Sequence, residues 1–249
     1  MSIQRESVSS LSKYMAFIEK HAKPGYTLFR GQPDRDCEGR KCKLWPGIAR
    51  EKPAVSLDDE MALTGELERR GAYVEPLPRN EWEWMALAQQ YGLPTRLLDW
   101  TRHALAALWF AVCEQRRGRW ETRSTDAAVW LFRHTKDDIG KASKMPKKTL
   151  YEGIKTTQVL FPRTIDRRIS IQASCFTVHA RDGNGCFIAL DDERQHRKKL
   201  ARLRVDHRYF DILRRQLDLE GINEAVLFPD LDGLCSHILY SHRDKLRKP

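Results

Sequence analysis

Hydrophobic and polar positions follow a helical period in several stretches of the chain. Amphipathic spacing predicts a first helix over Ser10 to His21. Asp58 stands where it can cap a second helix over Asp59 to Arg70. Asn80, followed three residues later by Glu83, has the spacing of a capping box, which predicts a third helix over Glu81 to Tyr91 that ends at Gly92 and Pro94. A fourth helix, about His103 to Glu114, is apolar on all sides and is expected in the core.

Apolar runs of strand length alternate with these helices. The predicted strands are Tyr26 to Gln32, Ala127 to Arg133, Arg168 to Val178, Gly185 to Leu190, the LARLRV run and a short AVLF run. A helix capped by Asp206 and closed by Gly221, and a last helix from Leu231, complete the pattern. Residues 135–157 contain many lysines and show no helical or strand periodicity, so we expect an exposed, mobile basic segment. Because the sequence contains no internal repeats or linkers, we predict that residues 1–249 form one mixed α+β domain with several packed helices.

Composition adds a preference for an anionic partner. The 249 residues include 44 Lys and Arg against 34 Asp and Glu, a formal net charge of +10. We expect a cytoplasmic protein without a membrane span, because the sequence has neither a secretory signal nor a long apolar run. Six scattered cysteines in that compartment indicate free thiols, and their spacing predicts no metal site.

The run Phe29-Arg30-Gly31-Gln32 ends the first predicted strand and leaves two interpretations open. The Arg30 guanidinium can present a planar fork to a phosphate, with Gly31 allowing the backbone to approach the ligand closely. Alternatively, Arg30 pairs with an internal carboxylate and holds a loop in place.

The stretch QQYGLPTRLLDWTRHALAALWFA, from Gln89 to Ala111, concentrates polar side chains in what we interpret as a turn before the apolar helix. In one interpretation, Arg96 and Asp99 form an ion pair that fixes the turn, and Trp100 fills the core. In the other, Asp99 and Trp100 line a pocket in which the indole stacks on a ligand ring. Beside that turn, the amides of Gln89 and Gln90 and the hydroxyl of Tyr91 become candidate ligand contacts.

Three motifs together resemble the FRG domain family. They are Phe29-Arg30-Gly31, the ALAQQYGLPTRLLDWT block, and a later series that includes Phe161-Pro162, RISIQ, CFTV and GINEAVLFPDLDGL. Many family members have His where Gln90 stands. The motif order is also similar to that of the ADP-ribosyltransferase fold, and this resemblance implies a central, mostly antiparallel sheet.

The second resemblance implies roles for individual residues, with NAD as the candidate substrate. Arg30 would hold the pyrophosphate or ribose, Thr101, or alternatively Thr95, would supply a supporting hydroxyl, and Gln172 would occupy the late-strand position where active transferases have a glutamate. Because glutamine cannot act as a base, Asp99 becomes the candidate carboxylate. The candidate catalytic residues are therefore Arg30, Asp99 and Gln172, and the candidate ligand-binding residues are Gly31, Gln32, Gln90, Tyr91, Thr95, Arg96, Trp100 and Thr101.

These resemblances imply an ADP-ribose transfer to a nucleic-acid, nucleotide or protein target by a toxin or phage-defence effector, with an antitoxin or other partner protein. The other hypothesis is a non-catalytic module that binds a nucleotide or nucleic acid. Residues 194–215 contain nine Lys or Arg, which suits either a solvated face or contacts to phosphates. Asp230 and Asp232 near the last helix are expected to cap it, and a paired-carboxylate site is the alternative.

Overall fold

A seven-stranded sheet forms the centre of the computed structural model, which describes residues 3–33, 43–50, 54–73, 77–113, 125–140, 151 and 153–243. Its strands are β1 (Ile3–Val8), β2 (Thr27–Pro33), β3 (Leu97–Thr101), β4 (Ala127–Arg133), β5 (Gln158–Leu160), β6 (Ser174–Val178) and β7 (Leu200–Val205). They lie in the order β1-β7-β4-β2-β3-β6-β5, and only the β1–β7 pair is parallel. The predicted α+β class and the mostly antiparallel sheet are confirmed.

Nine α-helices of the described residues pack around this sheet. They are α1 (Leu11–His21), α2 (Leu57–Arg70), α3 (Glu81–Gln90), α4 (Ala104–Val112), α5 (Arg167–Ile171), α6 (Arg194–Arg197), α7 (Phe210–Leu219), α8 (Glu224–Leu227) and α9 (Leu231–Ser241). Short 3₁₀ turns occur at Gly47–Ala49, Lys136–Asp138 and His207–Tyr209. No helix in the described ranges is long and apolar enough to cross a membrane.

Side-chain caps start most of the longer helices, as the sequence predicts for Asn80 and Asp230. Ser10 caps α1, Asn80 caps α3 and Asp230 caps α9, each by accepting a hydrogen bond from a backbone N–H in the first turn. Helix α2 begins earlier than expected, because the Ser56 hydroxyl and not Asp58 accepts from the Asp59 N–H.

The core has two layers, one on each face of the sheet. Along β4, Val129 and Leu131 pack with α4 on one face, whereas Trp130 and Phe132 point to the other face with Trp100. This alternation follows from the period of two along a strand. Helix α4 is buried in the first layer, which confirms the expected core helix, and Glu114 lies outside the described residues.

Three predicted strands differ from the structure. The first half of the 168–178 run is helix α5, because Asp166 caps it, and the left-handed backbone of Ala173 (φ 46°) separates it from β6. The AVLF run lies largely in helix α8, capped by Asn223. The 185–190 run contributes only an isolated bridge between Arg181 and Phe187. Local caps outweigh β-branched composition at these short elements.

The basic segment 135–157 is described at both ends, while residues 141–150 and 152 lie outside the described ranges. At the second end, Tyr151, Ile154 and Thr157 are buried, and the Tyr151 carbonyl accepts a hydrogen bond from Arg96. The expectation of an exposed segment is therefore wrong for these residues. Tyr151 and Ile154, for example, pack in one core cluster with residues of β6. Cys113, Cys175, Cys186 and Cys235 are free thiols, and Cys37 and Cys42 lie outside the described residues.

Candidate functional site

The two central strands of the sheet separate and open a cleft. Strands β2 and β3 are neighbours but pair only at Phe29 and Thr101, whereas β2 pairs with β4 along seven residues. Beyond that single pair, Gly31 and Asp99 line a cleft of about 630 Å³. The sheet therefore lacks regular backbone pairing between two of its central strands.

Several polar side chains from different elements converge on this cleft. They include Arg30, Gln89, Gln90, Asp99, Thr101 and Gln172. Three of them, Arg30, Asp99 and Gln172, are the candidate catalytic residues, which the fold brings together from β2, β3 and the end of α5. Gln90 donates a hydrogen bond to the Ser174 hydroxyl at 3.3 Å, also in the cleft wall.

Arg30 bridges the gap between the separated strands. Its Nη1 donates to the backbone carbonyl of Asp99 at 2.9 Å, in place of a strand-to-strand hydrogen bond. Its Nε is buried and has no hydrogen-bond partner among the described residues. Burial and, to a smaller extent, the positive charge of Arg50 lower the pKa of Arg30 to about 10, although Asp99 acts in the opposite direction. A mostly buried, incompletely paired cation therefore faces the cleft.

Asp99 presents a half-exposed carboxylate to the same cleft. Its Oδ2 accepts a hydrogen bond from the Gln89 amide at 2.7 Å and lies 3.7 Å from Arg30 Nη1. The side chain remains 41% exposed. Asp99 is therefore oriented by neighbours yet accessible to a ligand.

Thr101 and Gln172 line the cleft but use their polar atoms within the fold. The Thr101 hydroxyl donates to the Gln172 carbonyl at 2.5 Å and accepts from the His103 N–H at 2.8 Å. The Gln172 amide donates to the Leu227 carbonyl at 2.9 Å. The prediction of a late-strand position for Gln172 is wrong, because the residue ends α5 instead of lying on β6.

The stretch that we interpreted as a turn contains strand β3, and this corrects the expected positions of Arg96 and Trp100. Arg96 is buried and pairs with Glu60 at 2.5 Å, so the Arg96–Asp99 ion pair of the first interpretation is wrong. Successive residues of a strand point to opposite faces, so the Trp100 indole lies away from Asp99. Trp100 is among the residues that line the cleft, but its Nε1 donates to the Thr177 hydroxyl at 3.1 Å and its buried ring packs beside Phe132. The indole therefore fills the core, as in the first interpretation, and is not placed to stack on a ligand ring.

The other candidate ligand-binding residues have mixed positions. Gly31 lines the cleft, whereas Gln32, Tyr91, Thr95 and Arg96 are not in its wall. Tyr91 is 64% exposed, and its hydroxyl donates to Asp166 at 3.1 Å. Thr95 is buried behind Gln89 and donates to its side-chain oxygen at 2.7 Å.

Two aromatic side chains also form part of the wall of the cleft. The rings of Phe110 and Phe228 are perpendicular, with centroids 6.2 Å apart, and both residues are partly exposed. Neither Phe residue nor Arg50 was among the candidates from sequence. No local pattern marks them, because they come from the end of α4, the residue after α8 and the residue after the Gly47–Ala49 turn.

A potential group of metal ligands lies elsewhere. Asp126, Asp206 and His207 offer ligand atoms within 4.8 Å of one another, the one such group among the described residues. Arg204 forms an ion pair with Asp126, and Arg208 forms one with Asp206 at 2.5 Å. These carboxylates therefore already have cationic partners.

The basic run 194–215 extends over α6, β7 and α7 and does not form one continuous element. Lys199 pairs with Asp138 at 2.7 Å, and Arg204 and Arg208 form the ion pairs described above. Arg194, Arg197 and Lys198 are exposed. The use of this run for phosphate contacts stays a prediction. Asp230, in contrast, has the expected capping role and also pairs with Arg168.

Comparison with known families adds one finding. Residues 26–119 match the family model of the FRG domain. No curated protein and no solved structure matches the chain. The resemblance drawn from the Phe-Arg-Gly motif and the 89–111 block is confirmed for this segment, while the later motif series from Phe161 lies beyond it.

Proposed function

We propose that the protein binds NAD or a related nucleotide in the cleft between β2 and β3 and transfers its ADP-ribose. The FRG domain match supports this proposal, because it includes both of these strands. The observation that supports this most is Arg30, a mostly buried cation with an unpaired Nε beside a half-exposed carboxylate. The order of motifs, similar to that of the ADP-ribosyltransferase fold, is the second support.

The charges of the cleft favour a ligand with phosphate groups. Arg30 is desolvated and its positive charge is opposed by that of Arg50, which is why its pKa falls to about 10. A pyrophosphate supplies several acceptor oxygens and negative charge, and would relieve both effects at once. Guanidinium groups bind phosphates through two parallel hydrogen bonds, and Arg30 Nε is available for one of them.

Size and aromatic lining favour a nucleotide over a free phosphate. A volume of about 630 Å³ lies within the range of small-molecule and cofactor sites. Phe110 and Phe228 offer apolar ring edges and faces against which a nicotinamide or adenine ring can pack.

The proposed reaction exchanges one bond at the ribose for another. The bond between ribose and nicotinamide breaks, and nicotinamide leaves with the bonding electron pair. A nucleophile of the acceptor forms the new bond to the same ribose carbon and loses a proton. The Asp99 carboxylate stabilises the cationic sugar and accepts that proton. Gln172 is held by the Leu227 carbonyl and has no part in this step.

A second candidate function is the binding of an NAD-like ligand without chemistry. It is favoured by the composition of the cleft, because Asp99 is the one carboxylate among its described lining residues. In both cases the acceptors and targets to test are nucleic acids, nucleotides and proteins, as expected of a toxin or phage-defence effector.

Turnover of labelled NAD separates the two candidates. Incubating the protein with cell extract and NAD labelled on the adenylate half should release nicotinamide and label a macromolecule or nucleotide. Asp99→Asn, which keeps the side-chain shape, should lower turnover at least 100-fold while NAD still binds. Unchanged turnover in this variant would refute the proposed role of Asp99, and NAD binding by the wild type without turnover would favour the non-catalytic function.

A further inference from the structure

We propose that Gln89, held by Thr95, keeps the Asp99 carboxylate apart from Arg30 and so leaves both groups open to an anionic ligand. In its statement about the ligand, this inference rests on the proposed function of the cleft. It assigns positioning roles to Gln89 near the end of α3 and to Thr95 in the connection from α3 to β3. Thr95 acts through Gln89, since it is buried and does not reach the cleft.

The hydrogen bonds of this connection have a fixed direction. The Leu97 N–H donates to the Thr95 hydroxyl oxygen at 3.1 Å, which leaves the Thr95 proton free to be donated. Thr95 donates it to Gln89 Oε1 at 2.7 Å. The Gln89 amide is thereby prevented from flipping, and its Nε2 must donate to Asp99 Oδ2 at 2.7 Å.

This hydrogen bond holds the carboxylate away from the nearest cation. Arg30 Nη1 lies 3.7 Å from Asp99 Oδ2, whereas directly hydrogen-bonded guanidinium–carboxylate pairs have separations of about 2.7–2.9 Å. The same Nη1 is anchored at 2.9 Å to the Asp99 backbone carbonyl. Because that anchor is part of the main chain, Arg30 keeps its position whatever side chain stands at position 99.

The separation has a chemical consequence for the cleft. A closed Arg30–Asp99 pair would neutralise the guanidinium and occupy the carboxylate oxygens, so an incoming phosphate would have to break it. With Gln89 in place, Arg30 lacks a full counter-ion and Asp99 keeps an accessible oxygen. The cleft is therefore held in a state that favours an anion near Arg30.

The fold maintains this connection from outside the cleft. Gly92 has a left-handed backbone (φ 85°), and the Leu93 N–H bonds to the Ala88 carbonyl, which turns the chain back beside α3. The Thr95 carbonyl accepts from the Ile48 N–H at 3.1 Å, which fixes the segment against the Gly47–Ala49 turn. Thr95 thus has little freedom to move, and its hydroxyl is the part that can be altered cleanly.

The test compares Thr95→Val, which removes only the hydroxyl, with Thr95→Ser, which retains it. Calorimetric titration with inorganic pyrophosphate and with NAD should show binding at least fivefold weaker for Thr95→Val and within twofold of wild type for Thr95→Ser. Adding Asp99→Ala to Thr95→Val should restore pyrophosphate binding to the level of Asp99→Ala alone, because no carboxylate remains to close on Arg30. Thr95→Val binding equal to wild type, or a double variant as weak as Thr95→Val, would overturn the inference.

A ligand-free measurement keeps this test separate from the proposed function. In crystal structures of Thr95→Val and of Gln89→Leu, we expect the Asp99 carboxylate to move within about 3 Å of an Arg30 nitrogen. The Gln89→Leu variant provides the same test if Thr95→Val does not fold. An unchanged separation of 3.7 Å in the folded variant would refute the positioning role, even if neither NAD nor pyrophosphate binds the wild type.

Discussion

Gly31 illustrates at the scale of one residue what the Phe-Arg-Gly motif does in this fold. A Cβ at this position would lie 2.0 Å from the Ala107 carbonyl oxygen and 2.4 Å from the Ala111 nitrogen, both in the backbone of α4. The absent side chain therefore lets α4 lie directly on β2, at the edge of the cleft. From sequence, we expected Gly31 to admit a ligand, and the close approach is instead that of a helix.

Gly31→Ala should destabilise the protein by about 1–3 kcal/mol, because backbone atoms of α4 cannot move aside as a flexible side chain can. Urea unfolding followed by circular dichroism measures this change. Gly65→Ala is the matched control, because Gly65 lies inside α2 with no atom within 4 Å of an added Cβ, and alanine there should stabilise by about 0.5–1 kcal/mol. Equal effects of both substitutions would contradict this role of Gly31.

At the scale of elements, β3 and β6 are joined by a chain of buried polar side chains as well as by their backbones. Trp100 Nε1 donates to the Thr177 hydroxyl at 3.1 Å, and Thr177 donates in turn to His179 Nε2 at 3.2 Å. His179 Nδ1 donates to the Ile188 carbonyl at 2.8 Å. This direction of donation requires a neutral imidazole.

His179 should make the protein less stable in acid. Burial lowers its pKa to about 4, outweighing the hydrogen bond to Ile188, and the charges of His196, Arg30 and Arg96 also lower it. In the unfolded chain the imidazole takes up a proton near pH 6.5, whereas in the folded protein it does so only near pH 4. The free energy of unfolding should therefore fall by about 3 kcal/mol between pH 6.5 and 4.

The comparison with His179→Gln isolates this contribution from other acidic groups. Glutamine can retain one donor and one acceptor but does not titrate in this range. Urea unfolding measured at pH 7, 5.5 and 4 should show a smaller loss of stability for the variant than for the wild type. An identical loss in both proteins would show that His179 does not titrate as we expect.

The elements that the sequence predicts well are those with strong local signals. Ser10 and Asn80 fix helix starts, and the apolar run of β4 identifies a buried strand. Helix α5 was not predicted because its boundary depends on Ala173, a non-glycine residue with positive φ that no pattern marks. Strand β3 was taken for a turn because its polar Asp99 interrupts the apolar run.

The same limit applies to the candidate site. Arg30 and Asp99 could be chosen from sequence because each stands in an unusual motif, and both line the cleft. The partner of Arg96 could not, because Glu60 lies 36 positions away on α2 and only the folded chain brings them together. Phe228 reaches the cleft from a still more distant part of the chain.

At the scale of the whole molecule, the split sheet and the positive charge point to the same class of ligand. The described sheet divides between β2 and β3, and Arg30 spans the division. The full sequence has a formal net charge of +10, to which segments 114–124 and 141–150 contribute four arginines and four lysines, respectively. Such a field raises the local concentration of anions, and in the proposed function Arg30 would provide the specific contact.

The central claim is that this cleft binds NAD through Arg30, and calorimetric titration of NAD tests it most directly. Arg30→Ala should weaken binding at least tenfold, since a charge-assisted contact to pyrophosphate is lost. Arg194→Ala removes the same charge from an exposed position outside the cleft and should leave binding within twofold of wild type. Absence of NAD binding by the wild type, or equal binding by Arg30→Ala and Arg194→Ala, would contradict the claim.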